Sequence, residues 1–379
     1  MKYHMPTEIV FGAGTIGELG RITSQRLRSS RPLLVTDKGV EAAGIAARVL
    51  QHLTPWAVFN EIEPNPKHET VDRGGELARK LKPDLVIGLG GGSVLDAAKA
   101  IALLAANTGR IEDYEGREKY KSAPLRVLAI PTTCGTGSEV TWVSVITHAG
   151  RKFKMSIKGP LMYPAVALVD PDLLTTLPSQ LVASTGFDAL THAVEAYTAK
   201  PATVFTDALA WESLRLIFRS LPEAYPDIGG NSTAREGMML GSLLAGMAFG
   251  NSDVGAVHCL AESIGALYDT PHGVANAVLL PFVMEFNQEA AGVKYARIAE
   301  LAGVGAGGRE EAAARLIQKI LEFSRALSIP AFKDLGIPES DFELIAQKSF
   351  ENNSNPSNPR EATAADYLGI LRRASRGLR

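Results

Sequence analysis

The residues of this sequence best suited to chemistry are a few histidines and the polar groups near two glycine-rich turns. Of seven histidines, only His192, His258 and His272 lie beyond residue 180. His192 stands in GFDALTHAVEAYT, four residues after Asp188, so in a helix the two side chains project from one face about one turn apart. His258 lies in VGAVHCLAESIGALYDTPHG, and the Thr-Pro turn near its end stops the helix and brings His272 back toward the same region. Three imidazoles and a carboxylate suit a divalent first-row cation such as Fe²⁺ or Zn²⁺ and suit Mg²⁺ or Ca²⁺ poorly. A single buried histidine is more often structural. These three occupy Gly- and Ala-rich, mostly apolar segments, where an imidazole without a partner would be costly. On the residues alone, a shared ion and three separate structural roles are both open.

Two glycine turns compete for a nucleotide. GAGTIG, residues 12–17, matches G-x-G-x-x-G, and Asp37 follows twenty residues after Gly17, where that fingerprint places an acid for a ribose hydroxyl. The second turn is GLGGGSVLDAAKA, from Gly88 to Ala100. The preceding strands separate them. EIVF sets a charge beside its apolar residues, as an edge strand does, whereas DLVIGL is a continuous apolar run of the kind buried on both faces of a parallel sheet. Ligands of open α/β sheets bind outside the carboxyl ends of such central strands. Gly90, Gly91 and Gly92 let backbone amides approach a pyrophosphate, with a helix N-terminus behind them. Ser93 with Asp96, and Thr15 with Glu18, each read as a capping box. The first turn is then expected merely to lead the chain into a helix. Asp37 reads either as a ribose contact that favours NAD over NADP or as a turn residue in TDKG. IPTTCGTGSEVT offers Thr132, Thr133, Thr136 and Ser138 after an apolar strand, to grip a ribose or diphosphate or simply to form a hydrogen-bonded loop.

These groups need elements to carry them. Up to about residue 180, RPLLVTD, EAAGIAARVLQHL, WAVFN, TVDRGGELARKL, PDLVIGLG, SVLDAAKAIALLAAN and LRVLAIPTT alternate short apolar runs with helical patterns, the rhythm of βα units on a parallel sheet. Beyond that, Ala- and Leu-rich helical segments follow one another. The expected organisation is an α/β domain over residues 1–180 and an all-helical domain over 181–379, with the seam near Pro171 and Pro178. ENNSNPSNPREAT reads as a polar loop before a last helix. A net charge of −2 argues against a nucleic-acid surface or a polybasic membrane contact, and favours a small uncharged or polar ligand. Two cysteines, Cys134 and Cys259, are too few for a disulfide framework and fit no zinc motif, pointing to a reducing compartment. MKYHMPTEIV lacks the apolar core of a signal peptide and no apolar stretch is long enough to span a bilayer, so the expected location is cytoplasmic.

GGGSVLDAAKAIA, PTTCGTGSEVT, GFDALTHAVEAYTA and HCLAESIGALYDTPHGVANAVLLPFVMEFN resemble, in order, the successive signatures of the iron-containing (group III) alcohol dehydrogenases. The resemblance runs from about residue 6, through FGAG and the late NPR, to the last helix. It implies a dehydroquinate-synthase-like fold: an N-terminal dinucleotide domain, a C-terminal helical metal domain and an active site in the cleft between them. By position it makes Asp188, His192, His258 and His272 the metal ligands. Gly91, Gly92 and Ser93 then meet the pyrophosphate and Asp37 the adenosine ribose, while Thr132, Thr133, Thr136, Lys154 and Leu173 complete the coenzyme cleft. The early FGxG segment becomes a strand and turn that often joins dimer contacts, so a homodimer or larger homo-oligomer is expected.

Three positions depart from the family pattern. Val94 stands for a common Pro and should only loosen the helix start; Cys134 stands for a commoner Ala and puts a thiol near the coenzyme. Glu262, one helical turn after His258, stands where many members carry a second His near nicotinamide and substrate. A carboxylate relays protons near neutrality only if its pKa is raised, so Glu262 is expected to orient a substrate hydroxyl, approach the metal or pair with a cation. The expected activity is NAD(H)-dependent interconversion of a short-chain alcohol and its aldehyde or ketone, with Glu262 and His272 at the reacting groups and Fe²⁺, or Zn²⁺ or another first-row ion, as the metal. Zinc-dependent polyol dehydrogenases and metal-free maleylacetate reductases of the same superfamily are the nearest alternatives. A dehydroquinate-synthase-type lyase or a non-catalytic nucleotide-binding protein is a more distant one.

Overall fold

Apolar runs become strands where both of their faces can be buried, and the first part of the chain does this repeatedly. In the computed structural model, which describes residues 1–377, the strands are β1 (Glu8–Phe11), β2 (Pro32–Asp37), β3 (Ala57–Ile62), β4 (Leu85–Gly90), β5 (Gly116–Arg117), β6 (Val127–Pro131), β7 (Val143–His148), β8 (Phe153–Lys158) and β9 (Val166–Val169). Among the described residues six of them form a parallel sheet in the order β1-β9-β6-β4-β2-β3. The charged EIVF segment is its edge and the apolar LVIGLG run lies inside it, as their compositions predict.

The alternation of strand side chains serves a core on each face. Leu85, Ile87 and Leu89 enter one cluster with Leu19, Ile22 and Ile45, while Val86 enters the other with Val94, Ala98 and Ile101. Burying each of these Leu, Ile and Val side chains is worth roughly 1.5–3 kcal/mol. The helices of this part are α1 (Leu19–Arg21), α2 (Lys38–Ala42), α3 (Ile45–Val49), α4 (His68–Leu81) and α5 (Gly92–Ala106). The helical pattern EAAGIAARVLQHL is split between α2 and α3, because Gly44 takes the left-handed conformation at φ 74°. A second sheet, β5-β8-β7, interrupts the βα rhythm. Its antiparallel β7–β8 hairpin sends Ile146, Met155 and Ile157 into the cluster that contains α5.

The later part is helical: α6 (Ser179–Thr198), α7 (Val204–Asp227), α8 (Ser232–Ser252), α9 (Ala256–Tyr268), α10 (His272–Leu301), α11 (Arg309–Ala326), α12 (Phe342–Phe350) and α13 (Ala364–Arg376). By contacts the chain divides into residues 4–177 with 228–239, and residues 178–227 and 240–379 with the first three. No helix among the described residues is long and apolar enough to cross a membrane. The polar stretch before α13 does more than connect. Asn358, with no exposed surface, accepts from the Ala256 amide at 3.1 Å and exchanges hydrogen bonds with Asn287 at 3.0 and 2.8 Å. Ser354 and Ser357 hold the two oxygens of Asp253 just ahead of α9, at 3.0 and 2.7 Å. Its Asn and Ser residues thus clasp the start of α9.

Candidate active site

α6 is buried on all sides over most of its length, so it carries no polar face for solvent, and its polar residues must find partners inside. Asp188, His192 and Glu195 recur at intervals of four and three residues and share one face of the helix. Glu195 uses both of its oxygens on α9. One accepts the Val257 amide at 2.8 Å and the other contacts His258 Nδ1 at 2.5 Å. Gly255, just before α9, makes this approach possible, since a Cβ there would stand 2.8 Å from Asn358 Oδ1 and 3.1 Å from Glu195 Oε1. With the carboxylate holding the proton on Nδ1, the lone pair of His258 lies on Nε2, which faces His192 Nε2 at 2.9 Å. Burial draws the His258 imidazole down, but the Glu195 carboxylate outweighs it and holds the ring above its ordinary pKa.

His272 opens α10 directly after Pro271, and Asn276 follows one turn later. The Asn276 amide nitrogen donates to Asp188 Oδ1 at 2.7 Å and lies 3.2 Å from His258 Nε2 and 3.1 Å from His272 Nε2, while its own Oδ1 is buried without a partner. Ligand atoms of Asp188, His192, His258 and His272 all lie within 4.8 Å of one another. Burial pushes the Asp188 carboxyl up, yet His192, His272, His258 and Asn276 together hold it below the usual carboxylate range. One amide group with two hydrogens is shared among Asp188 Oδ1, His258 Nε2 and His272 Nε2, and a cation would serve all of these acceptors at once. The donor set therefore fits a divalent first-row metal. The sequence pointed to the four residues that converge here but not to Glu195 and Asn276, although these stand three and four residues after His192 and His272.

The two glycine turns differ in what meets their amides. At the first, the Asp170 carboxylate, itself fully buried, accepts from Gly14 N at 3.1 Å and Ile16 N at 3.0 Å. An internal anion takes the place a phosphate would need. The Thr15–Glu18 capping box does not form: Thr15 Oγ1 donates to Gly12 O at 2.8 Å and Glu18 pairs with Arg21. At the second turn the Ser93–Asp96 box is also absent, because Asp96 is drawn away to Ser138 Oγ at 2.6 Å, Val145 N at 2.9 Å and Lys99 Nζ at 3.1 Å. No side-chain cap hydrogen bond closes the start of α5 among the described residues, in contrast to the carboxylate that occupies the first turn. Val94 is fully buried, and its side chain would stand 2.6 Å from a Cβ on Gly90.

The threonine loop closes over this turn. The Thr132 amide donates to Gly90 O at 3.0 Å; a Cβ on Gly91 would stand 3.2 Å from Thr133, and one on Gly92 would stand 2.5 Å from Thr136. Buried Lys99 pins the loop by donating to Ser138 O at 3.1 Å and to Val143 O. Burial pulls its ammonium below the usual lysine range against the attraction of Asp96, and burial pushes the nearby Glu139 carboxyl up to about 7. Asp37 ends β2, beside β4 in the sheet, and its Oδ1 caps α2 by accepting from Val40 N at 2.8 Å. Lys154 on β8 is buried and donates to Asn65 Oδ1 at 2.9 Å. Leu173 is a fully buried member of the core that contains Leu19 and Ile22, and Cys134 is fully buried as well. Glu262 is partly buried, and its Oε2 accepts from Asn352 at 2.6 Å rather than pairing there with a cation.

Comparison with known proteins covers both halves of the chain. The family model described as iron-containing alcohol dehydrogenase matches residues 6–171, and that of the C-terminal part of the same family matches residues 182–375. The NAD-dependent methanol dehydrogenase of Bacillus methanolicus is 38% identical over 98% of this chain and 99% of its own. The 1,3-propanediol dehydrogenase of Klebsiella pneumoniae is 40% identical over 98% of each. A crystal structure of a 1,3-propanediol oxidoreductase superposes with a TM-score of 0.94 at 40% identity, over 98% of this chain and 99% of that one. Matched almost from end to end in sequence and in backbone, the chain belongs to the iron-containing alcohol dehydrogenase family.

Proposed function

We propose that this oxidoreductase interconverts short-chain alcohols and aldehydes with NAD(H) in preference to NADP(H), using Fe²⁺ as its resident ion and accepting Zn²⁺ on the same donors. The convergence of Asp188, His192, His258 and His272 carries this reading. When bound there, the ion supplies a Lewis acid for the substrate's hydroxyl or carbonyl oxygen. The nicotinamide supplies the hydride acceptor or donor. The chain's own residues bind and orient. Glu195 aims His258, and Asn276 steadies Asp188 and His272. His272 and Glu262 are the groups proposed to meet the substrate, with Glu262, held by Asn352, orienting its hydroxyl. Gly91, Gly92 and Ser93 offer the start of α5 to the pyrophosphate, beside Thr132, Thr133, Thr136 and Lys154, and Leu173 supports them from the core. Asp37 accepts from the ribose and repels a 2′-phosphate.

The names of the methanol and 1,3-propanediol dehydrogenases support a short, uncharged alcohol as substrate. Both cysteines are buried thiols outside any disulfide, which supports a cytoplasmic location. The outer edge of β1, paired on one side only among the described residues, supports a homodimer or larger homo-oligomer. The test is elemental analysis of anaerobically purified protein followed by stripping with a chelator. NADH formation from a panel of short alcohols should vanish and return with Fe²⁺ or Zn²⁺. Undiminished turnover in metal-free protein would overturn the proposal.

A further inference from the structure

We propose that the α/β unit carries a second divalent-cation site, formed by His68, Glu112 and His148 and suited to Zn²⁺ or a similar first-row ion. His68 opens α4, Glu112 lies in the 3₁₀ turn Ile111–Tyr114, and His148 ends β7. One ligand atom from each lies within 4.8 Å of the other two. The two imidazoles stack with centroids 4.1 Å apart at 26°, close to the 4.4 Å and 30° of His192 and His258 in the four-residue centre. His148 Nε2 is 3.0 Å from Glu112 Oε2.

A second observation points to a ligand. His68 is only 8% exposed, and its Nδ1 is buried without a hydrogen bond. Glu69 Oε2 stands 2.8 Å from that nitrogen without a hydrogen bond, an ion pair only when the ring is protonated. A buried neutral imidazole nitrogen facing a carboxylate is costly, and a cation bound between them removes the cost. The charge balance agrees. Glu69, Asp72 and Glu112 lie close to the two rings, against Arg110 beside Asp72 and Arg151, which Glu115 engages at 2.6 Å. Two nitrogens and a carboxylate oxygen are a zinc-type donor set rather than one for Mg²⁺ or Ca²⁺. His148 Nδ1 accepts the exposed Arg151 amide at 3.3 Å, so ligation through Nε2 moves the ring proton to Nδ1 and gives up that long contact, while the Nε2 hydrogen bond to Glu112 is exchanged for two bonds to the ion.

The ion would join three segments of the chain. The loop that leads into α4 also holds Asn65, the partner of Lys154, so the same staple steadies the mount of a residue proposed to meet the coenzyme. The test uses the full-length chain dialysed against Zn²⁺ at pH 7.5, with bound zinc counted by elemental analysis. Wild type should hold two equivalents. Glu112→Gln and His148→Ala should each hold one, or bind the second at least tenfold more weakly, while both retain alcohol turnover. A double variant, His192→Ala with His258→Ala, should keep the equivalent that the other two lose. Saturation of wild type at one equivalent, or two equivalents retained by both single variants, would overturn the site.

Discussion

Replacing Glu195 with Gln changes one charge and almost no volume, yet the geometry assigns it a large effect on metal retention. The carboxylate accepts from the Val257 amide and from His258 Nδ1. A carboxamide has one oxygen for these two donors and sets an NH₂ against the other, so one buried donor loses its acceptor at a cost of about 1–3 kcal/mol. His258 is then free to place its proton on Nε2, the atom that faces His192. Loss of a carboxylate partner behind a metal-binding histidine typically weakens metal affinity or activity by about 10–100-fold. Competition for Zn²⁺ against a chromophoric chelator, beside kcat/KM for a short alcohol at saturating metal, measures both effects. A merely structural role would lower the melting temperature of the metal-free protein and leave chelator competition unchanged. Glu195→Gln holding zinc within about twofold of wild type would refute the assignment.

Other perturbations test the coenzyme side. Asp37→Ala should reduce the preference for NAD over NADP in kcat/KM by about tenfold and cost about 1 kcal/mol of stability through the lost cap on α2; an unchanged ratio would mean another group reads the ribose. Gly92→Ala places a methyl 2.5 Å from Thr136, so the loop must shift at a cost of about 1–3 kcal/mol. The KM for NAD⁺ should then rise well before kcat falls, and an unaltered KM counts against this turn. Glu139 has its carboxyl raised from 4.5 to about 7 by burial. Between those values the folded chain keeps a proton that the unfolded chain has released, so stability falls as pH rises through the window and stays low above it. Glu139→Gln should flatten that decline and stabilise the protein at pH 8 by on the order of 3 kcal/mol; melting curves that stay parallel across pH would refute it.

Whatever depended on local pattern was legible in the sequence. Asp188 and His192 could be paired because a helix puts residues four apart on one face, and β1 could be separated from β4 because an edge tolerates charge and an interior strand does not. Whatever depended on distant partners was not. Ser93 with Asp96 has the letters of a capping box, but Ser138 and Val145, more than forty residues away, claim the carboxylate instead. GAGTIG has the letters of a phosphate turn, but its amides belong to Asp170, which is 154 residues from Ile16. Glu195 resembles any acid on a long helix until α9 is folded against it. The β7–β8 hairpin escaped notice because its strands are six residues each and follow the glycine-rich threonine loop, with no helix between them to mark a βα unit.

The ammonium of Lys99, sealed from water, reaches both the Ser138 carbonyl and the first residue of β7. Lifting either segment away from α5 would strip a solvent-starved charge of its acceptors. One buried charge thus ties the helix behind the glycine turn to both the threonine loop and the hairpin, so none of the three can be displaced alone without that cost.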